Sequence, residues 1–146
     1  RKLQCTLSVS LHAPNDNLRS QTMPINKKWG VAQLLKACKY YSDTTRRRIS
    51  FEYAMISGLN DSDAQAQELA GKLKGILSHV NLIPVNDVTG NHYKKSSAQR
   101  LHAFCSILEK HGTVRRTLGS DIQASCGQLQ RRYKEEVNNI ESAQSN

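Results

Sequence analysis

The chain has 146 residues, 38% hydrophobic and 23% charged, with a formal net charge of +9 from 21 Lys and Arg against 12 Asp and Glu. This length suits one domain with a real core. No apolar run approaches a membrane span and the opening RKLQCTLSVS lacks the apolar stretch of a signal peptide, so no membrane partner and a cytoplasmic location are expected.

The first predicted element is a strand over 5–12 (CTLSVSLH), rich in β-branched residues and followed by turn formers. Val31, Leu34, Leu35 and Cys38 then recur at helical spacing and predict an amphipathic helix to about Tyr41. A second strand is expected over 48–56 (RISFEYAMI). Ser62 and Gln65 form a capping box, and Leu69, Leu73 and Leu77 continue one apolar helical face. A third strand over 79–84 (HVNLIP) follows. Ser96 with Gln99 is a further capping-box candidate, opening a helix through Leu101, Phe104, Cys105 and Leu108 that Gly112 closes. A short last strand over 113–117 is expected, then a polar tail from Lys134 with a helical start that frays.

Strand and helix in strict alternation predict an α/β fold with a parallel sheet and crossover helices. Three or four strands fit either a small open sheet or the second half of a longer barrel. In both, ligands gather in loops after strand C-termini. Those loops are SLHAPND, MISGLND, IPVNDVTG and RRTLGSD, all rich in Asn, Asp, Gly and Ser.

Basic residues cluster at Lys27–Lys28, Arg46–Arg48, Lys94–Lys95, Arg115–Arg116 and Arg131–Arg132. A polyanion is the natural partner of such a chain, and a merely basic solvated surface is the alternative. The four cysteines, Cys5, Cys38, Cys105 and Cys126, form no CxxC or CxxxCxxC, and the histidines are scattered, so no metal site is expected. Cys5, Cys38 and Cys105 read as small buried apolar residues. Cys126 differs, because it precedes Gly127 in a polar segment close to arginines. Glu52, mid-strand beside aromatics, reads as an inward-facing, paired carboxylate, and Tyr40 and Tyr41 read as helix packing residues.

Five ordered motifs carry a resemblance: SLHAPND (10–16), MPIN (23–26), FEYAMISGLND (51–61), HVNLIPVN (79–86) and GSDIQASCGQL (119–129). From about residue 3 to Arg132 the chain resembles the C-terminal half of the RlmN family of radical S-adenosylmethionine RNA methyltransferases. The resemblance implies a parallel-stranded partial (β/α) barrel of radical-SAM type over 1–133, with 134–146 as the tail.

It also implies methylation of carbon 2 of an adenosine in 23S rRNA and, in many members, in tRNA. That carbon is not nucleophilic. The family therefore first moves a methyl from one S-adenosylmethionine to a protein cysteine, and a deoxyadenosyl radical generated at a 4Fe-4S cluster then activates it. By this resemblance Cys126 carries the methyl, while Ser10, Leu11, His12 and Asn86 contact S-adenosylmethionine. Cations near Cys126 would favour its thiolate. Arg115, Arg116, Arg131 and Arg132 flank that segment and are expected as phosphate contacts.

The family's CxxxCxxC, its glycine-rich S-adenosylmethionine contact, its catalytic glutamate and its adduct-resolving cysteine lie upstream of the segment matched here. The chain is therefore expected to be a C-terminal portion, inactive alone, with the cluster ligands and a reducing partner supplied elsewhere and a monomeric state. The stretch HGTVRRTLGSD is a few residues shorter than in family members, which bears on the placement of Cys126. Rival readings are a carbon-8 rRNA methyltransferase of the antibiotic-resistance type, a non-catalytic basic RNA-binding fragment, and a small S-adenosylmethionine-binding protein acting on something other than RNA.

Overall fold

In the computed structural model, residues 5–85, 92–110 and 114–115 are described. Four strands, β1 (Leu7–Ser10), β2 (Ile49–Met55), β3 (Ser78–Pro84) and β4 (Val114–Arg115), form one parallel sheet in the order β1-β2-β3-β4. Between them lie α1 (Asp16–Thr22), a 3-10 turn (Pro24–Lys27), α2 (Val31–Thr45), α3 (Asp63–Leu73) and α4 (Ala98–Glu109). This is the α/β architecture expected from the alternation of elements. Among the described residues no helix is long and apolar enough to cross a membrane.

Period-two alternation gives the sheet two unlike faces. Ile49, Phe51, Tyr53 and Met55 of β2 and Val80 and Leu82 of β3 are buried in one apolar cluster. The cluster also holds Val31, Leu35 and Cys38 of α2, Ala66, Leu69, Ala70 and Leu73 of α3, and Phe104, Cys105 and Leu108 of α4. Tyr53 and Phe104 meet with ring centroids 5.2 Å apart and tilted by 39°. Full burial of each such ring stabilises the fold by roughly 2–3 kcal/mol. The intervening positions carry Ser8, Ser10, Ser50, Glu52, His79 and Asn81. Helices thus dress one face, and the other is polar.

Several boundaries differ from expectation, each for a physical reason. Helix α2 runs four residues past Tyr41, because buried Ser42 extends the stripe of Val31, Leu35 and Cys38 and donates its hydroxyl to the Lys39 carbonyl. Leu77 does not lie on α3: the helix stops at Leu73, Gly75 turns the chain at φ 80°, and Leu77 is exposed while Ile76 enters the core. The Ser62–Gln65 capping box is present in full. The cap of α4 falls one residue later than expected, on Ser97, because Ser96 is buried and donates to Asp61 instead.

Cys5 is exposed rather than buried, since it precedes the paired part of β1, whereas Cys38 and Cys105 are buried as expected. Tyr41 packs against the core but Tyr40 is exposed, a correction for that residue. Helix α1 and the 3-10 turn were not anticipated, because DNLRSQT and PINK are short and carry no apolar stripe. Gly112, Thr113, Thr117 and the tail from Lys134 lie outside the described residues.

Candidate ligand site at the strand ends

The SLHAPND loop leaves β1 at its C-terminal end, and its geometry is fixed by atoms it did not bring itself. The Leu11 and His12 N–H groups both donate to the Glu52 carbonyl of β2, at 3.0 and 3.3 Å. His12 adopts a left-handed backbone conformation (φ 59°), which a histidine holds only where surroundings compensate the strain. Its Nδ1 accepts from the Ala54 N–H at 2.9 Å, and its carbonyl accepts from Asn60 Nδ2 at 2.8 Å. Fully buried Asn60 also donates to the Ala54 carbonyl at 2.7 Å and accepts from the Ile56 N–H at 2.7 Å. One side chain from the MISGLND loop therefore ties the ends of β1 and β2 together.

Because Nδ1 of His12 accepts a backbone hydrogen bond, the ring proton resides on Nε2 and the imidazole is neutral. Burial pushes its pKa below the ordinary 6.5, and the Arg19 guanidinium adds to that against an opposing pull from Glu52. A neutral group with a lowered pKa contributes its full stability above 6.5 and loses it as the pH falls from there towards its folded value. The difference in unfolding free energy between the full-length protein and its His12→Ala variant should thus shrink on acidification below pH 6.5. A difference that stays level or grows in chemical denaturation would contradict a neutral His12.

Arg19 of α1 is the second clamp. It is 4% exposed, and its guanidinium donates to the Ser10, Leu11 and Trp29 carbonyls and to Asn26 Oδ1, at 3.2, 3.1, 3.3 and 2.9 Å. A planar, permanently charged fork of donors suits four acceptors arranged around one plane. Asn26, from the MPIN segment, passes the network on by donating to Asp16 and Ser20. Asp16 then caps α2 from outside: its carboxylate accepts from the Val31 N–H at 2.7 Å, which with Asn26 holds its pKa below the ordinary carboxylate range. The local N-cap residue, Gly30, has no side chain to do this, and a Cβ there would stand 3.1 Å from Asp16 Oδ1.

Across the polar face, Ser10, Glu52 and Asn81 are register partners on three adjacent strands, and the Arg115 backbone pairs next to Asn81. The Glu52 carboxylate accepts from Ser8 Oγ and Ser50 Oγ, both at 2.9 Å, and from Asn81 Nδ2 at 2.7 Å. Burial raises its pKa, but these donors and the His79 ring more than offset that, and it stays below its ordinary value. Glu52 is therefore a paired carboxylate on the polar face, partnered mainly by neutral groups.

Of the predicted site residues, the structure gathers Ser10, Leu11 and His12 at one rim. Ser10 is exposed and its backbone is clamped, Leu11 is fully buried, and His12 is half-buried. Arg115 belongs to β4, whereas Asn86, Arg116, Cys126, Arg131 and Arg132 lie outside the described residues. Sequence reading missed Arg19, Asn26, Asn60 and Asp16. For Asp16, Asn26 and Asn60 the signal was the density of polar residues inside the ordered motifs, which periodicity analysis passes over; Arg19 lies outside those motifs and had none.

No protein-family model matches the chain. A curated relative from Clostridium tetani, named a dual-specificity RNA methyltransferase RlmN, is 56% identical over 134 residues, covering 90% of this chain and 38% of the relative. Another of that name from Thermoanaerobacter sp. is 55% identical over 138 residues, covering 92% of this chain and 40% of the relative. The crystal structure of a radical SAM methyltransferase from Sphaerobacter thermophilus superposes with a TM-score of 0.80 at 46% identity, over 88% of this chain and 38% of that one. Nine tenths of the chain thus match proteins named RlmN at more than half identity.

The chain spans about two fifths of the length of the curated relatives it matches. A domain of a pyruvate-formate lyase-activating enzyme from Bacteroides vulgatus shares the fold alone, with a TM-score of 0.63 at 16% identity over 77% of this chain. The four-stranded parallel sheet and its neighbours among radical-SAM enzymes agree with the expected partial radical-SAM barrel.

Proposed function

We propose that this chain serves a radical S-adenosylmethionine RNA methyltransferase that methylates carbon 2 of an adenosine in 23S rRNA and in tRNA, with Cys126 as the methyl carrier. The observation that carries this reading is the locked SLH rim: residues that resemble the family's S-adenosylmethionine contact are held rigid at the strand ends by Arg19 and Asn60. Ligands of parallel α/β folds bind at that end. The names of the relatives, both RNA methyltransferases, support the substrate class.

The residues present fit S-adenosylmethionine. Ser10 is exposed at the rim, His12 keeps an Nε2 proton to donate, and Asn81 Oδ1 is a buried acceptor with no hydrogen bond from the described residues. When bound, this ligand would supply a sulfonium methyl: a thiolate attacks it, the methyl–sulfonium bond breaks, and S-adenosylhomocysteine leaves as the neutral thioether. Ser10, His12 and Asn86 bind and orient the ligand, and buried Leu11 anchors the rim between them. Cys126 gives up its proton and takes the methyl on sulfur, and Arg115, Arg116, Arg131 and Arg132 hold RNA phosphates in a salt-dependent way.

The described thiols do not fit a 4Fe-4S cluster. Cys38 and Cys105 are buried in the apolar core and Cys5 is at the other end of β1; among the described residues no group of three His, Cys, Asp or Glu could hold a metal. By the family resemblance we assign the cluster ligands to a segment upstream of the matched motifs and the cluster's reduction to a separate partner, and place the monomeric enzyme with its RNA in the cytoplasm.

Nucleoside mass spectrometry of rRNA and tRNA treated with the full-length, cluster-loaded protein tests the reading. We expect 2-methyladenosine from both RNAs. 8-Methyladenosine would transfer the assignment to the carbon-8 reaction, and RNA that is bound but never methylated would reduce the chain to a basic RNA-binding module.

A further inference from the structure

The segment between α1 and α2 carries a basic and aromatic patch that the ligand rim does not use. Buried Asn26 turns inward to Arg19, Asp16 and Ser20, while Ile25, Lys27, Lys28 and Trp29 are exposed. Ile25 and Trp29 keep 50% and 46% of their surface in water. The Lys28 and Trp29 N–H groups both donate to the Ile25 carbonyl at 3.0 Å, so a closed turn presents these side chains. Lys28 Nζ stands over the indole, 5.5 Å from the ring centroid. Neither Lys27 nor Lys28 forms an ion pair among the described residues.

A single exposed aliphatic residue needs no explanation, but an exposed indole beside two unpaired ammonium groups combines the two features of a single-stranded nucleic-acid site. An unpaired base offers the indole a flat π face, and its flanking phosphates offer the lysines their counter-charge. Position points the same way. The Trp29 carbonyl accepts from the Arg19 guanidinium that also holds the Ser10 and Leu11 carbonyls. Patch and rim are thus one guanidinium apart. Nucleotides next to a base that reacts at the rim come within reach of Trp29.

We propose that Trp29 stacks on an unpaired base next to the target nucleotide, while Lys27 and Lys28 hold the phosphates that flank it. The inference rests on the RNA reading above. The patch follows β1 at one edge of the sheet, and Arg115 lies on β4 at the other, so RNA is held from both sides of the strand ends. Stacking accepts every base, so the contact favours single strands over duplex without reading sequence.

The test is filter binding of the full-length, cluster-loaded protein to a hairpin RNA with an unpaired, adenosine-containing loop and to a fully paired duplex of equal length. Trp29→Ala should raise the hairpin Kd about tenfold, the scale of one base stacked on an aromatic ring, and the duplex Kd by less than about twofold. Trp29→Phe should recover most of that loss. Replacing Lys27 and Lys28 together by alanine should flatten the slope of log Kd against log salt by about one. Affinity for S-adenosylmethionine, measured by equilibrium dialysis, should stay at the wild-type value in all three variants. A hairpin Kd within about twofold of wild type, an equal loss on duplex, or a matching loss of S-adenosylmethionine affinity overturns the stacking role. Unchanged hairpin binding with a lowered Tm would instead assign Trp29 to a contact with the rest of the protein. Wild-type protein that binds neither RNA overturns the RNA reading as well.

Discussion

Arg19→Ala should destabilise the full-length protein by about 3 kcal/mol or more and raise its Kd for S-adenosylmethionine at least about tenfold. The loss is large because one buried guanidinium satisfies the Ser10, Leu11 and Trp29 carbonyls and the Asn26 amide oxygen. Truncation leaves these acceptors without their donor, and water reaches them only if the rim opens. Arg19→Lys should recover less than half of the loss, since a single ammonium has no planar fork to span four acceptors. Denaturant unfolding reads the stability, and hydrogen exchange of the Leu11 and His12 amides reads the rim itself. A change within about 1 kcal/mol, or amides as protected as in the wild type, would mean that Arg19 does not hold the loop.

Cys126→Ala has the opposite profile. Methyl transfer to RNA should fall by roughly 10⁴-fold or more, as when a covalent nucleophile is removed, while unfolding stability and RNA affinity stay near wild type. RNA affinity should still fall steeply with salt, because phosphate contacts through arginines release counterions. Filter binding at two salt concentrations, beside a single-turnover methylation assay, separates the two effects. Retained methylation in the variant removes Cys126 from the chemistry.

The strands were legible because Ile49, Phe51 and Tyr53, and Val80 and Leu82, alternate with polar residues on a sheet buried on one side. That is a local pattern with a global cause. The capping box at Ser62 was legible for the same reason, since both partners sit within one helical turn. Leu77 was misread because periodicity has no term for the turn at Gly75. Ser42 was missed because a serine can extend a buried stripe when its hydroxyl returns to the helix backbone.

The site was legible in part. SLH was placed at a strand end by pattern and given a role by resemblance. The residues that make the rim rigid were not found: Arg19 reaches back eight positions to Leu11, and Asn60 crosses 48 positions to His12. Hydrogen bonds between distant loops leave no periodic trace in a sequence. Glu52 was read as paired, and it is, but the partners Ser8 and Asn81 lie on neighbouring strands, visible only once the parallel register is known.

Methylation by the proposed route requires the sulfur of Cys126 to accept a methyl group from a ligand seated at these strand ends. Full-length protein incubated with S-adenosylmethionine bearing a deuterated methyl, then digested and sequenced by tandem mass spectrometry, tests this directly. We predict a labelled methyl on the peptide containing Cys126, reduced at limiting ligand when Arg19→Ala has displaced the rim. An unlabelled Cys126 in protein that binds the ligand and methylates RNA would contradict the account.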